Sequence, residues 1–281
     1  MLFRPVALLL GILILAGCAA QARKPTGPCV GKKTAAEAIA TLNSRREHVA
    51  AIRATGQCLL RYHAEGKRHK ENFPVKLWVN PPDEIYLQGD VAFNATGLVF
   101  GSNADEFWFW LRPKEISSYW WGRWTGAGNW DALAISPAAM LEAFGTFGMG
   151  DGDWSLLREA NRDVLVLRNG QGNVLKRCFI EPCDYLVEKI EYFDSAGTIA
   201  LTAKFDDYDR ISEGYSVPEL IKIVAPAKDG DEDSVRISLG SIKPTQLSEQ
   251  QKQRLFVRPK PRGFEHVYQV IDGTAVEQIY E

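Results

Sequence analysis

Beyond its first seventeen residues, this 281-residue chain has no apolar run approaching the roughly 20 residues that a membrane-crossing helix needs. A later transmembrane helix is excluded. An excess of one charge is also lacking: 33 basic residues stand against 35 acidic ones, a formal net charge of −2. That balance gives no sign of a phosphate-binding surface, so nucleic acid is not an expected partner. Histidine is scarce, and His48, His63, His69 and His266 show no metal-ligand spacing. Cys178-x4-Cys183 has no paired histidine nearby, so no metal site is expected. No Gly-x-Ser-x-Gly elbow occurs, which disfavours an α/β-hydrolase esterase. The glycines of 145–150 lack the preceding strand and the spacing of a dinucleotide loop. The acidic clusters at Asp206, Asp207 and Asp209 and at Asp229 to Asp233 lack calcium-loop spacing and read as solvated turns. No catalytic group stands out. The chain reads as a non-enzyme without a cofactor.

What is present begins at the N-terminus. Arg4 gives a short positive start, and Val6 to Leu15 form an apolar run too short to span a bilayer. Leu15-Ala16-Gly17-Cys18 then brings small residues up to a cysteine. The layout is that of a secretory signal peptide, and the cysteine directly after the small residues resembles the processing site of bacterial lipoproteins. The expectation is a cleaved signal peptide over 1–17 and lipidation of Cys18, anchoring the chain in membrane lipid. Residues 18–33, rich in Ala, Gln, Lys, Pro and Gly, read as the lipidated cysteine and a flexible tether. Residues 34–281 read as one folded domain. Ala19 in place of an aspartate favours the outer membrane, on resemblance to enterobacterial sorting, with the domain facing the periplasm.

Four cysteines remain once Cys18 is set aside, an even number in a compartment that permits disulfides. Cys178 and Cys183 flank Phe179-Ile180-Glu181-Pro182, so a bridge between them can close a short hairpin. Pairing Cys29 with Cys58 is at the limit of reach if a single helix of about 30 Å covers 34–54. Three connectivities stay open.

Thr34-Ala35-Ala36-Glu37 has the pattern of a capping box, and Ile39, Leu42, Val49 and Ile52 follow at largely helical spacing, so an amphipathic helix opens the domain. From Thr55 strands dominate. Alternation predicts them over 57–64, 75–79, 84–88, 96–101, 105–112, 117–124, 154–158, 163–169, 173–180, 184–194, 198–207, 217–225 and 234–242. Turn residues fill the gaps, as at Asn169-Gly170, Asp194-Ser195-Ala196-Gly197 and Asp229-Gly230-Asp231. Short connections favour an antiparallel meander. Two helices interrupt it: Ser136-Pro137 caps one carrying Met140, Leu141 and Phe144, and Ser248 to Gln251 is a capping box leading to Leu255 and Phe256.

Six of the eight tryptophans lie between Trp108 and Trp130. Phe107-Trp108-Phe109-Trp110-Leu111 is apolar on both strand faces, and Trp120, Trp121 and Trp124 repeat the excess one strand later. A sheet packed on one side has a polar second face; this one does not. Two readings follow. Both faces are buried in a thick core, or a curved sheet lines an apolar ligand cavity. In the second, Trp108, Trp110, Trp120, Trp121 and Trp124 are the wall candidates, with Met140, Leu141 and Phe144 as lid. The parity of 107–111 decides whether tryptophans or phenylalanines face inward.

The order of processing site, tether, amphipathic helix, strands, Ser-Pro-capped helix and further strands resembles the LolA/LolB lipoprotein-carrier superfamily. Tyr192-Phe193-Asp194-x2-Gly197 and Phe205-Asp206-Asp207-Tyr208 contribute to the likeness, which covers roughly residues 34–258. The resemblance implies a mainly β (α+β) fold: a curved antiparallel half-barrel of about eleven strands wrapped around a few helices, enclosing a cavity for acyl chains. Phe93 occupies the place of the membrane-touching loop tip of family receptors, but it is not their leucine, and that role is not carried over. The implied function is binding of acyl chains of lipoproteins or lipids, in lipoprotein transport or insertion at the outer membrane. Two rivals use the same residues: a non-transporting scaffold or sensor that binds an envelope protein, and a glycan-acting envelope enzyme with exposed tryptophan platforms. Ligand pockets run at about 300–1,000 Å³, so a cavity under a few hundred Å³ would sink the carrier.

Overall fold

The computed structural model describes residues 29–46, 50–64, 66–91, 94–112, 117–124, 142, 149–226, 232–271 and 274–279. The leader, Cys18, Phe93, Met140, Leu141 and Phe144 lie outside the described residues. Among the described residues, the helices α1 (Ala35–Arg46) and α2 (Glu249–Phe256) accompany fifteen strands. The first series is β1 (Ile52–Ala64), β2 (Lys67–Asn80), β3 (Glu84–Val91), β4 (Asn94–Ser102), β5 (Glu106–Leu111) and β6 (Ser118–Arg123). The second is β7 (Asp153–Glu159), β8 (Arg162–Arg168), β9 (Val174–Ile180), β10 (Val187–Phe193), β11 (Ile199–Ser212), β12 (Tyr215–Pro226) and β13 (Glu232–Pro244). Two short strands follow α2: β14 (His266–Ile271) and β15 (Thr274–Glu277).

All fifteen belong to one open, curved sheet in the order β15-β14-β6-β5-β4-β3-β2-β1-β13-β12-β11-β10-β9-β8-β7. The chain winds outward from β1 to β6, restarts at the far edge with β7, and returns until β13 closes on β1. The seam runs antiparallel from Ile52 opposite Pro244 to Arg61 opposite Ser234. Within each series, from β1 to β6 and from β7 to β13, sequential strands pair antiparallel, as the short turns predict. The exception to antiparallel order is β14, which lies parallel to β6. The implied count of about eleven strands is corrected to fifteen, with β14 and β15 extending one edge.

Local chemistry accounts for the turns. Between β10 and β11 the Asp194 carboxylate accepts the amides of Ala196 and Thr198, at 2.9 and 2.8 Å, while Gly197 takes φ +78°. Between β8 and β9 the Asn169 side chain accepts from Gln171 and Asn173, both at 3.0 Å. At α1 the Glu37 amide donates to the Thr34 hydroxyl, but the Glu37 carboxylate reaches the amide of Lys33 rather than that of Thr34. The Ser248 box of α2 forms in both directions. The opening helix ends at Arg46, and β1 begins six residues later, so no single helix covers 34–54.

Alternation sorts the side chains onto two faces. Phe73, Val75, Leu77 and Val79 of β2 point inward, with Lys76 and Trp78 opposite. The same parity from β1 to β4 and from β8 to β13 builds the main core, into which α1 inserts Ala38, with Ile39 and Leu42 packed against it. A second core lies on the opposite face, between β3–β6 and the C-terminal segment.

Candidate functional site

The inner face is where a ligand could meet apolar surface. Beside α1, a cavity of about 80 Å³ is lined by residues that include Leu42, Arg45, Met149, Val187, Ile190 and Tyr208. Asn43 fixes its rim, accepting the amide of Met149 at 3.0 Å. The Arg45 guanidinium donates to the carbonyl of Asp184. Burial lowers the pKa of that guanidinium, and the Asp184 charge opposes the shift. Glu142, the one described residue of the predicted Ser136 helix, also borders the cavity. Its carboxylate accepts from Lys176 Nζ at 2.6 Å and from the Tyr192 hydroxyl. Burial first, and then Glu142, raise the Tyr192 pKa well above its ordinary value, so the phenol keeps its proton. The arrangement is a partly buried, hydrogen-bonded ion pair beside apolar space, in which neither charge is left unpaired.

Among the described residues, the free thiols are Cys58 and Cys178. Both are buried in the main core, and burial pushes each up to about 12. At neutral pH both are protonated and poor nucleophiles. Among the described residues, no three His, Cys, Asp or Glu side chains converge on a possible metal position.

The cysteine pairing differs from the hairpin bridge. Cys29 joins Cys183, with their Cα atoms 5.0 Å apart. Cys178 cannot reach Cys183 because β9 carries it inward into the core, whereas Cys183 lies on the exposed turn beyond the strand. Cys58 is held inward on β1 by the same alternation. The bridge roots the chain start in the domain, and Asp163 reinforces it. This fully buried carboxylate accepts the Lys32 amide at 2.7 Å, Arg158 at 2.9 Å and the Tyr185 hydroxyl at 3.1 Å. Residues 29–33, read as tether, are therefore built into the fold. Gly31 permits the contact, since a Cβ there would fall 2.0 Å from the Asp163 carboxylate.

The tryptophans divide between the faces. Trp108, Trp110 and Tyr119 belong to the second core with Val99 and Val267, and Tyr86, Trp121 and Phe264 pack against it. Gly101 makes room for Trp108, whose indole lies 2.2 Å from where a Cβ would stand. The C-terminal segment straps this core: Tyr119 donates to the carbonyl of Pro259, and the guanidinium of Arg258 lies 4.0 Å from the Trp121 ring. Inward from β5 come Phe109 and Leu111, which join the main core. Trp120 is the cross-strand partner of Phe109 and stacks on Tyr268, while Trp124 packs against the main core and donates to Asn103 O at 2.7 Å. The expected wall is corrected accordingly. Trp108, Trp110 and Trp121 face away from the main interior because the parity of β5 and β6 turns its phenylalanines inward.

Sequence reasoning missed Asp163 and the Glu142–Lys176–Tyr192 group. One signal could have found the first: Asp163 shares the inward parity of Leu165, a place where a carboxylate needs partners.

No protein-family model and no curated protein matches the chain by sequence. Solved structures do match. A proposed outer membrane lipoprotein-sorting protein domain from Vibrio parahaemolyticus aligns with a TM-score of 0.53 and 16% identity, covering 78% of this chain and 95% of that one. A DUF1329 family protein from Desulfovibrio piger gives a TM-score of 0.50 and 10% identity, over 76% and 95% of the two chains. A LolA superfamily protein from Nitrosomonas europaea gives a TM-score of 0.48 and 14% identity, over 78% and 97%. At such identities the likeness is one of fold. This chain shares the curved half-barrel fold of the Vibrio and Desulfovibrio structures.

Proposed function

We propose that this protein is a lipid-anchored envelope protein of the outer membrane, held there through Cys18 and facing the periplasm. Its LolA-like sheet would bind acyl chains of lipoproteins or lipids without covalent chemistry. The observation that carries the reading is the continuous apolar inner face, contributed by strands on both sides of the β1–β13 seam and covered at one end by α1. An acyl chain entering there would bury apolar surface at about 25 cal/mol per Å² and give it up on delivery to a bilayer. Because the cavity beside α1 is only about 80 Å³, uptake requires α1 to move off the sheet.

That volume lies below the few hundred Å³ of a preformed ligand pocket, so the carrier stands only with α1 displaced. The closed interior favours a second reading, a scaffold or sensor whose interior is filled by its own side chains. The glycan-acting alternative loses support. Trp108 and Trp110 are 0% and 8% exposed and cannot serve as sugar platforms. Native mass spectrometry of the purified protein separates the first two readings, together with titration by a fluorescent long-chain fatty acid. The carrier is expected to co-purify with lipid mass and to take up the probe, and Leu42→Trp, which fills the cavity, is expected to reduce uptake. A ligand-free protein that ignores the probe would overturn the carrier reading and leave the scaffold.

A further inference from the structure

The outer face of the sheet carries a cationic row that the near-neutral net charge conceals. Lys189, Lys204, Lys222 and Arg236 stand in direct cross-strand register on β10, β11, β12 and β13. One row further along, Arg61 of β1 and Lys70 of β2 oppose each other in the same way. Like charges directly opposite destabilise a sheet. Lys189 is neutralised by Glu191 at 2.6 Å. The others have no carboxylate within ion-pair distance among the described residues. Of their outward neighbours along the strands, Thr202, Val224, Ser234, Ser238 and Asn72 are uncharged, Asp206 follows Lys204, Arg68 precedes Lys70, and His63, bonded to Asp233, follows Arg61. Leu59 and Leu220 place apolar surface among the cations. Adjacent strands are about 4.8 Å apart, so the row from Lys204 to Lys70 spans about 19 Å.

We infer that this face docks on the anionic phospholipid headgroups of the leaflet in which the chain is anchored. A broad array of cations at strand spacing, interspersed with leucines, suits a plane of many anions with an apolar layer beneath it. The chain start adds a second argument. Cys183, disulfide-bonded to Cys29, borders the same groove of about 950 Å³ as Lys189, Lys204 and Lys222. Its lining also holds Glu159, Glu181, Asp184, Glu188, Asp206 and Asp207, so the groove adds nearness to the chain start and no excess of positive charge. Cys29 lies only eleven positions after Cys18. Fully extended, that stretch reaches about 40 Å, so an anchor at Cys18 keeps this face within reach of the bilayer. The inference rests on the lipid-anchored reading above.

The test uses the full lipidated chain in nanodiscs of neutral phosphatidylcholine or of phosphatidylcholine with anionic phosphatidylglycerol. Ser238→Cys carries a fluorophore, and a headgroup-linked quencher reports contact with the bilayer. Quenching is expected in anionic discs and not in neutral ones, and it should weaken with added salt. Each cation near an anionic surface shifts a docking equilibrium about fivefold. The variant Lys204→Gln/Lys222→Gln/Arg236→Gln should therefore return quenching to the neutral-disc level while staying disc-bound through its anchor. Equal quenching in both kinds of disc, or full quenching of the triple variant, overturns the docking surface and leaves the row for an acidic protein. Failure to associate with either disc overturns the anchored reading instead, and the proposal with it.

Discussion

Asp163 has more consequence than any other single carboxylate among the described residues. It is fully buried and holds the chain start, a strand arginine and a tyrosine at once. Burial and then the Asp163 charge raise the Tyr185 pKa, so the tyrosine remains a donor to the carboxylate. Replacing Asp163 by Ala leaves the Lys32 amide and the Tyr185 hydroxyl without their acceptor. Hydrogen bonds to charged groups contribute about 1.5–3 kcal/mol each, and Arg158 can turn to water. A loss of about 3 kcal/mol in urea unfolding is expected for Asp163→Ala. A change within about 0.5 kcal/mol would show that the disulfide alone roots residues 29–33. The inward parity of Asp163 was readable from the strand pattern. Its partners were not, because Lys32 lies 131 residues away.

Among the elements, the meander strands were legible because β-branched and aromatic residues alternate with polar ones and turn residues mark each gap. β14 and β15 were not. They are short, and β14 pairs with β6 across more than a hundred residues. That missed pairing decides the role of the tryptophans, because the strap leading into β14 makes the second face a core. Trp110 is stacked on Tyr119 with ring centroids 5.8 Å apart, and its indole donates to Thr96 O at 2.9 Å. Trp110→Ala should cost about 3–5 kcal/mol in thermal or urea unfolding while leaving fatty-acid uptake by the folded protein unchanged. A variant of near-native stability with lost uptake would return Trp110 to the cavity wall.

For the whole molecule, the Cys29–Cys183 bridge closes a separation of 154 residues. In the chain-entropy account, a loop of that length contributes up to about 5 kcal/mol by restricting the unfolded chain. The Cys29→Ser/Cys183→Ser variant should unfold at markedly lower urea concentration. The wild type under reductant should match it, since Cys58 and Cys178 are buried and unpaired. An unchanged midpoint would mean that the chain start adds nothing to the stability of the sheet. Composition and alternation were enough to specify a mainly β chain and its turns, because those depend on neighbours within a few residues. Three things had to wait for folding: the partner of Cys183, the face taken by each tryptophan, and the cationic row hidden in a net charge of −2. Each depends on register between strands distant in sequence, and one residue of slip would send every side chain to the other face.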